Sequence, residues 1–366
     1  MLNGPALDHL AASIVRMCRS GLSPDRLRDA VLARLRSAVP VDALWWSAVD
    51  PATLIFTRAY REELPAESGP YFVANEFLDT DVNKWTALAR TPQGVDTMMH
   101  ATDGRPARSS RYRDIFAPLG LRDELRAVLR VRGSCWGYMC LHREPAQDFS
   151  PEEALFVQRL APYLGEGIRA GLLLEDCAFE DPADAPGLIL LDLAGTVVGM
   201  NEAAPQWLDE LGGAPDGSDL PIAVWALATR LRHLDLDTPE LPRLRVRTRA
   251  GRWAVLHASL VGTDTTAVIL EQAQPAEVAP VIMAAYGLTE QERKVTALVC
   301  QGLTTRRIAA QLYLTHDTVQ DHLKSVFDRT GVHSRGELVA TILQRDYVPR
   351  ALAGDRIDRT GAFHSS

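Results

Sequence analysis

The sequence predicts a multidomain chain: two α+β domains in series, then an all-α module of four short helices whose middle pair forms a helix-turn-helix. Three observations carry this. At 366 residues, 46% hydrophobic and 23% charged, the chain can bury two or three separate cores. Strand-like runs in hairpin spacing recur between Val41 and Glu271, interleaved with amphipathic stretches. Beyond Leu288 the strand signals stop, and four helix starts follow at Thr289, Thr304, Thr315 and Ser334, residues whose side-chain oxygen can satisfy a free helix N–H.

In the first domain, residues 1–176, an amphipathic stretch from Leu27 to Leu35 leads into the strand Val41–Val49, a turn at Asp50-Pro51 and a second strand, Leu54–Tyr60. Leu125–Val131 and Cys135–Leu141 form a hairpin around Gly133, and Ser150-Pro-Glu-Glu153 caps a helix running to Leu174. This order resembles a GAF-type sensor domain. The stretch between Tyr71 and Tyr112 is long, irregular and rich in aromatics, and is expected to roof a small-molecule cavity. Candidate pocket residues are Trp45, Trp46, Tyr60, Phe72, Trp85, Trp136 and Tyr138, although strand alternation allows only some of them to face one cavity.

The second unit, residues 180–272, has a hairpin within Gly187–Asn201, a helix with Ala203, Trp207 and Leu208, a hairpin of Leu244–Thr248 and Trp253–Leu256, and a last strand, Thr266–Glu271. It resembles a compact PAS domain. No flavin-attaching cysteine motif or haem histidine is visible in it, so no cofactor is expected and a relay or dimerisation role is favoured. Residues 273–282 read as a linker, and the tail 348–366 as flexible.

In the helical module, residues 283–347, Thr289 and Glu292 form a capping box ahead of Val295, Leu298 and Val299. Thr304 caps a helix built on Ile308, Ala309 and Leu312; after the tight Tyr313-Leu314 turn, Thr315 caps the next. With Val319 pointing inward, Leu323 and Val326 fall within about 40° of it at 100° per residue. Asp321 and Lys324 fall opposite, flanked by Gln320. These side chains are able to read base edges in a major groove. Ser334 and Glu337 cap a fourth helix carrying Leu338, Val339, Ile342 and Leu343.

The pattern Leu288-Thr-x-x-Glu292, Gly302-Leu-Thr, Ile308-Ala309, Leu314-Thr-x-x-Thr-Val319, His322-Leu323 and Gly331-Val-x-x-Arg335-x-Glu-Leu338 resembles the LuxR-type (GerE-type) transcription regulators. The resemblance implies that 304–313 sits on phosphates, that 315–330 enters the major groove and that 334–344 dimerises through Leu338, Val339, Ile342 and Leu343. Candidate DNA contacts are Thr304, Arg306, Arg307, Thr315, Thr318, Gln320, Asp321, Lys324 and Arg335. Gln320 and Asp321 stand where the family often has a basic residue, and Arg307 where it often has Glu, so base preference does not carry over. The first domain differs from the shorter sensors of acyl-homoserine lactones, so that ligand does not carry over either.

Net charge of -8 looks wrong for a DNA binder until it is divided along the chain. Between Tyr286 and Asp346 eight Lys and Arg face seven Asp and Glu, a net +1. One such domain binds nonspecific DNA weakly, so a homodimer on a double-stranded operator is expected. The five cysteines, Cys18, Cys135, Cys140, Cys177 and Cys300, show no metal-ligand spacing, and no metal is expected. Cys135 and Cys140, five apart on one strand, should lie on opposite faces. No membrane-length apolar run or signal peptide is visible, which makes the cytoplasm the expected compartment and a membrane partner unexpected. No phosphate loop, HExxH or GxSxG motif points to an enzyme.

The reading is a sequence-specific transcription regulator responding to a small molecule or partner, with RNA polymerase open as a further partner. The alternatives are a sigma-factor-like promoter binder, which lacks the basic aromatic melting segment; an antagonist without DNA binding, suggested by Gln320-Asp321; and, last, a catalytic nucleotide sensor.

Overall fold

The computed structural model describes residues 4–66, 68–145, 147–174, 185–233, 243–344, 356–357 and 363–364. The first domain opens with α1 (Gly4–Cys18) and α2 (Pro24–Leu35), followed by β1 (Ala43–Val49) and β2 (Phe56–Glu62). Next come α3 (Ser68–Phe77), α4 (Trp85–Leu88), β3 (Val95–Thr97), α5 (Met98–Ala101), β4 (Asp123–Val131), β5 (Ser134–Arg143) and α6 (Pro151–Leu174). The strands form one antiparallel sheet in the order β2-β1-β5-β4-β3. As the sequence predicts, Ser150 and Glu153 cap α6 reciprocally, at 3.2 and 2.8 Å. Gly165 lets α6 lie against the sheet, since a Cβ there would stand 2.9 Å from the Leu129 carbonyl oxygen.

Alternation along these strands divides the core. Leu44, Trp46, Leu125, Leu129, Trp136, Met139 and Leu141 pack beneath α1, α2 and α6. Trp45, Val128, Tyr138 and Cys140 belong to the second cluster, with Phe72, Trp85 and Phe116. A β-bulge breaks the pattern on β5: Leu129 pairs with Gly137 but Arg130 with Cys135, which leaves Trp136 as the extra residue. Cys135 therefore joins Cys140 in the second cluster, against the expectation of opposite faces. The stretch between Tyr71 and Tyr112 is less irregular than expected, since it carries most of α3 together with α4, β3 and α5.

The second domain contains β6 (Gly187–Leu191), β7 (Val197–Met200), α7 (Ala204–Glu210), α8 (Ile222–Arg232), β8 (Arg243–Arg247), β9 (Trp253–Val261) and β10 (Thr265–Gln272). Its sheet order, β7-β6-β10-β9-β8, repeats the permutation of the first sheet: second, first, fifth, fourth, third. Ile189, Leu256 and Val268 pack beneath Trp207 of α7 and Leu227 of α8. Sequence patterning foresaw neither α8 nor α1.

The expected linker is a helix. In α9 (Pro275–Ala285), Gln274 and Glu277 form a capping box, and Val278, Val281, Ile282 and Met283 are buried. The proline-containing start disguises an apolar helix with proline tolerated in its first turn. The helical module follows as α10 (Glu290–Cys300), α11 (Thr305–Leu312), α12 (His316–Thr330) and α13 (Arg335–Val339), which continues as a π-helical turn, Ala340–Gln344. Most of the tail 348–366 lies outside the described residues; within it, Arg356–Ile357 and Phe363–His364 pair as two short strands. Among the described residues, no helix is long and apolar enough to cross a membrane.

Candidate nucleic-acid interface and buried polar cluster

The helix-turn-helix is set by its caps. Thr304 Oγ1 accepts from Arg307 N at 3.4 Å and Thr315 Oγ1 from Thr318 N at 3.1 Å, while Tyr313 takes the left-handed conformation, φ 55°, that ends α11. Val319, Leu323 and Val326 are buried, as the spacing requires. Gln320, Asp321 and Lys324 are therefore turned outward and exposed, with Arg306 and Arg307 exposed on α11. Tyr313 is 96% exposed at the turn between the two helices, an aromatic edge that periodicity and capping do not single out.

Several candidate contacts have structural employment instead. The Thr304 and Thr315 hydroxyls are occupied as caps, and the Thr318 hydroxyl lies 2.8 Å from that of Thr315. Arg335 donates to the Leu303 carbonyl at 2.8 Å and to Thr305 Oγ1 at 3.0 Å, so it ties α13 to the start of α11 rather than reaching outward. The expected dimer seam is likewise occupied. Leu338 and Ile342 are buried in the chain's own core, Val339 and Leu343 pack partly buried against it, and the 340–344 turn lies against α9. The physical reason is that α9 lies against the 340–344 turn and α10 against α13, so both ends of that stripe are covered from within the chain.

In the first domain the pocket candidates separate. Trp46 and Trp136 belong to the core beneath α6, and Tyr60 is half-buried with the Arg28 guanidinium 3.9 Å above its ring. Trp45, Phe72, Trp85 and Tyr138 do come together: Trp45 stacks on Phe72 at 5.1 Å and Trp85 on Tyr138 at 4.9 Å. These rings pack against one another at the place where a cavity was expected.

Beside the rings lies a buried polar network that hydropathy patterning missed. Arg111 donates to Glu124 at 2.6 Å, to Asn75 at 2.8 Å and, from its backbone, to Asp81 at 2.9 Å. Arg126 reaches Glu124 at 2.9 Å and Glu76 at 3.2 Å, with its guanidinium 3.8 Å from the centre of the Trp85 ring. Burial alone would raise the Glu124 carboxyl, but Arg111 and Arg126 outweigh it and hold the group below its ordinary range. Burial pushes His142 down to about 4, so the imidazole is neutral, and pushes the Cys140 thiol well up. Trp45 Nε1, Trp85 Nε1, Arg126 Nη2 and His142 Nδ1 are buried here without a hydrogen-bond partner.

Residues 8–168 match the GAF domain, and residues 287–342 match the model for bacterial regulatory proteins of the luxR family. The spore germination protein GerE of Bacillus subtilis is 35% identical over 57 residues, which is 16% of this chain and 77% of that protein. A nitrate/nitrite response regulator protein homolog of Haemophilus influenzae is 38% identical over 56 residues, 15% of this chain, and the chain covers only 26% of that protein. Among solved structures, Escherichia coli SdiA is 12% identical and aligns over 90% of this chain and 94% of its own, at a TM-score of 0.32. The cap spacing, the outward face of α12 and the match to most of GerE agree: this chain belongs to the LuxR family of bacterial regulatory proteins, with a GAF domain ahead of its LuxR-type helix-turn-helix.

Proposed function

We propose that this regulator reads operator DNA through α12, as a homodimer, and that its N-terminal domains respond to a small molecule or partner. The observation that carries the reading is the outward stripe of Gln320, Asp321 and Lys324 on a helix whose opposite face, Val319, Leu323 and Val326, is locked into the core. Gln suits adenine, Asp can accept from the cytosine amino group, and Lys reaches guanine or phosphate. Exposed Arg306 and Arg307 supply cations for phosphates, which position the domain without specifying sequence.

The aromatic and charged cluster of the GAF domain supports the sensing half of the proposal, because two buried donors without a hydrogen-bond partner, Trp85 Nε1 and Arg126 Nη2, lie beside the stacked rings of Trp85 and Tyr138. The second domain, whose strand order repeats that of the first, is assigned the PAS-like relay role. Capture of fragmented genomic DNA on the purified chain, followed by sequencing, tests the DNA-reading half. A shared motif with two half-sites is expected. Recovery of fragments without any common sequence would overturn specific reading.

A further inference from the structure

Glu124 and His142 are directly opposed in the antiparallel register of β4 and β5, and Cys140 lies two residues before His142 on the same strand. Cross-strand partners and i, i+2 neighbours share one face of a sheet, so backbone pairing gathers these three side chains. Glu124 Oε1 lies 2.9 Å from Cys140 Sγ, and Sγ lies 3.3 Å from His142 Nε2. All three residues are buried, and their ligand atoms lie within 4.8 Å of one another. Tetrahedral ligands at ordinary zinc distances stand roughly 3.3 to 3.6 Å apart. The oxygen–sulfur and sulfur–nitrogen separations, 2.9 and 3.3 Å, would widen to about 3.5 Å around such an ion.

The charges point the same way. Two guanidiniums, Arg111 and Arg126, face three carboxylates, Glu76, Asp81 and Glu124, so this buried network holds one carboxylate more than it has guanidiniums. A divalent ion that displaces the thiol proton adds one net positive charge, which offsets that excess. Glu124 Oε1 also accepts from Arg126 Nε at 2.9 Å and from Arg111 Nε at 3.2 Å, so a metal would take the place of the thiol proton, which bridges to that oxygen at 2.9 Å, beside these two donors. His142 Nε2 faces the Cys140 sulfur at 3.3 Å, while its other ring nitrogen, Nδ1, is buried without a hydrogen-bond partner.

We propose that Glu124, Cys140 and His142 bind one divalent transition-metal ion, zinc foremost, through one oxygen, one sulfur and one nitrogen. As the metal–sulfur bond forms, the Cys140 proton leaves to solvent, and no electron is transferred. Three protein ligands leave a fourth position for a small exogenous ligand. Phe116 and Phe72 flank the imidazole, with ring centres 4.5 and 6.1 Å from it. Oxygen, nitrogen and thiolate together suit zinc or iron(II) better than calcium or magnesium.

The test is a cobalt(II) titration of the full chain after chelator treatment, alongside zinc analysis of the chain as purified. One cobalt per chain should bind, with visible d–d bands and a near-ultraviolet thiolate charge-transfer band that zinc abolishes. Cys140→Ser should lose the charge-transfer band. Cys135→Ser should keep it, because that thiol shares the core but not the cluster. If Cys140→Ser does not fold, X-ray absorption at the zinc edge of the unsubstituted chain must show one sulfur ligand. Failure of that chain to bind cobalt or zinc, a zinc shell without sulfur, or an unchanged band in folded Cys140→Ser overturns the proposal. These readouts involve no DNA, so their failure leaves the reading of α12 intact.

Discussion

Asp50, just after β1, and Arg245, on β8 195 residues later, form a buried clasp between the two N-terminal domains. Asp50 Oδ2 accepts from Arg245 Nε at 2.8 Å and from its backbone N at 3.1 Å, while Oδ1 accepts from Nη2 at 3.1 Å. Arg245 also reaches the Glu277 carbonyl of α9 at 3.5 Å, and Arg169 of α6 donates to the Ala285 carbonyl at the other end of that helix. Just beyond it, the Gly287 carbonyl accepts from Arg132 of the first domain and from Arg329 of α12. Arginines from both sheet domains and from the helix-turn-helix thus converge on α9 and the turn after it, a contiguous set of contacts between the first domain and α12.

Breaking the clasp should cost stability. In Asp50→Ala the Arg245 guanidinium loses its carboxylate in a mostly buried site, a change worth about 3 to 5 kcal/mol. Calorimetry of the full chain should show a lowered first transition that separates from the rest. An unchanged thermogram would mean that the two domains do not depend on this contact.

Leu338→Ala should behave as a core truncation, lowering the stability of the helical module by about 2 to 5 kcal/mol, because Leu338 is fully buried within the chain. Its oligomeric state, read by analytical ultracentrifugation, should not change. Loss of dimers at unaltered stability would return Leu338 to the role of a seam.

Acidification should weaken the fold through His142. Its folded value of about 4 lies below the ordinary 6.5, so the neutral form is favoured in the native state. Above pH 6.5 both states are neutral and nothing is lost. As pH falls through 6.5 toward 4, the unfolded chain takes up the proton first, and stability declines by up to about 3 kcal/mol. Denaturant titrations with a chelator present should show this slope, and His142→Gln should flatten it. An equal slope in both proteins would remove His142 as the cause.

The helical module was legible because capping and periodicity are local: Thr289, Thr304, Thr315 and Ser334 all cap as their spacing predicts. What was not legible depends on partners distant in sequence. Arg335 reads as a DNA contact until the Leu303 carbonyl is found beside it, and the apolar stripe from Leu338 to Leu343 reads as a free edge until α10 is found against α13 and α9 against the 340–344 turn. Arg111, Glu124 and Arg126 read as surface charges in a linear scan, because hydropathy cannot show that ion pairing keeps them inside. Cys140 and His142 lacked any ligand spacing in sequence with Glu124 because the cluster is assembled across a hairpin.

The central claim is that the outer face of α12 reads DNA, and the most direct measurement is the binding of wild type, Gln320→Ala, Lys324→Ala and Val319→Ala to a captured operator and to unrelated DNA at two salt concentrations. Lys324→Ala should lose about 1 to 3 kcal/mol of specific binding if it reads a base, or weaken all sequences alike with a shallower salt dependence if it meets phosphate. Gln320→Ala should relax base choice at one position in each half-site. Val319→Ala should instead destabilise the fold by about 1 to 3 kcal/mol, since that side chain is fully buried. If Gln320→Ala and Lys324→Ala, both folded, bind every sequence as wild type does at both salt concentrations, α12 is not the reading helix and the account is contradicted.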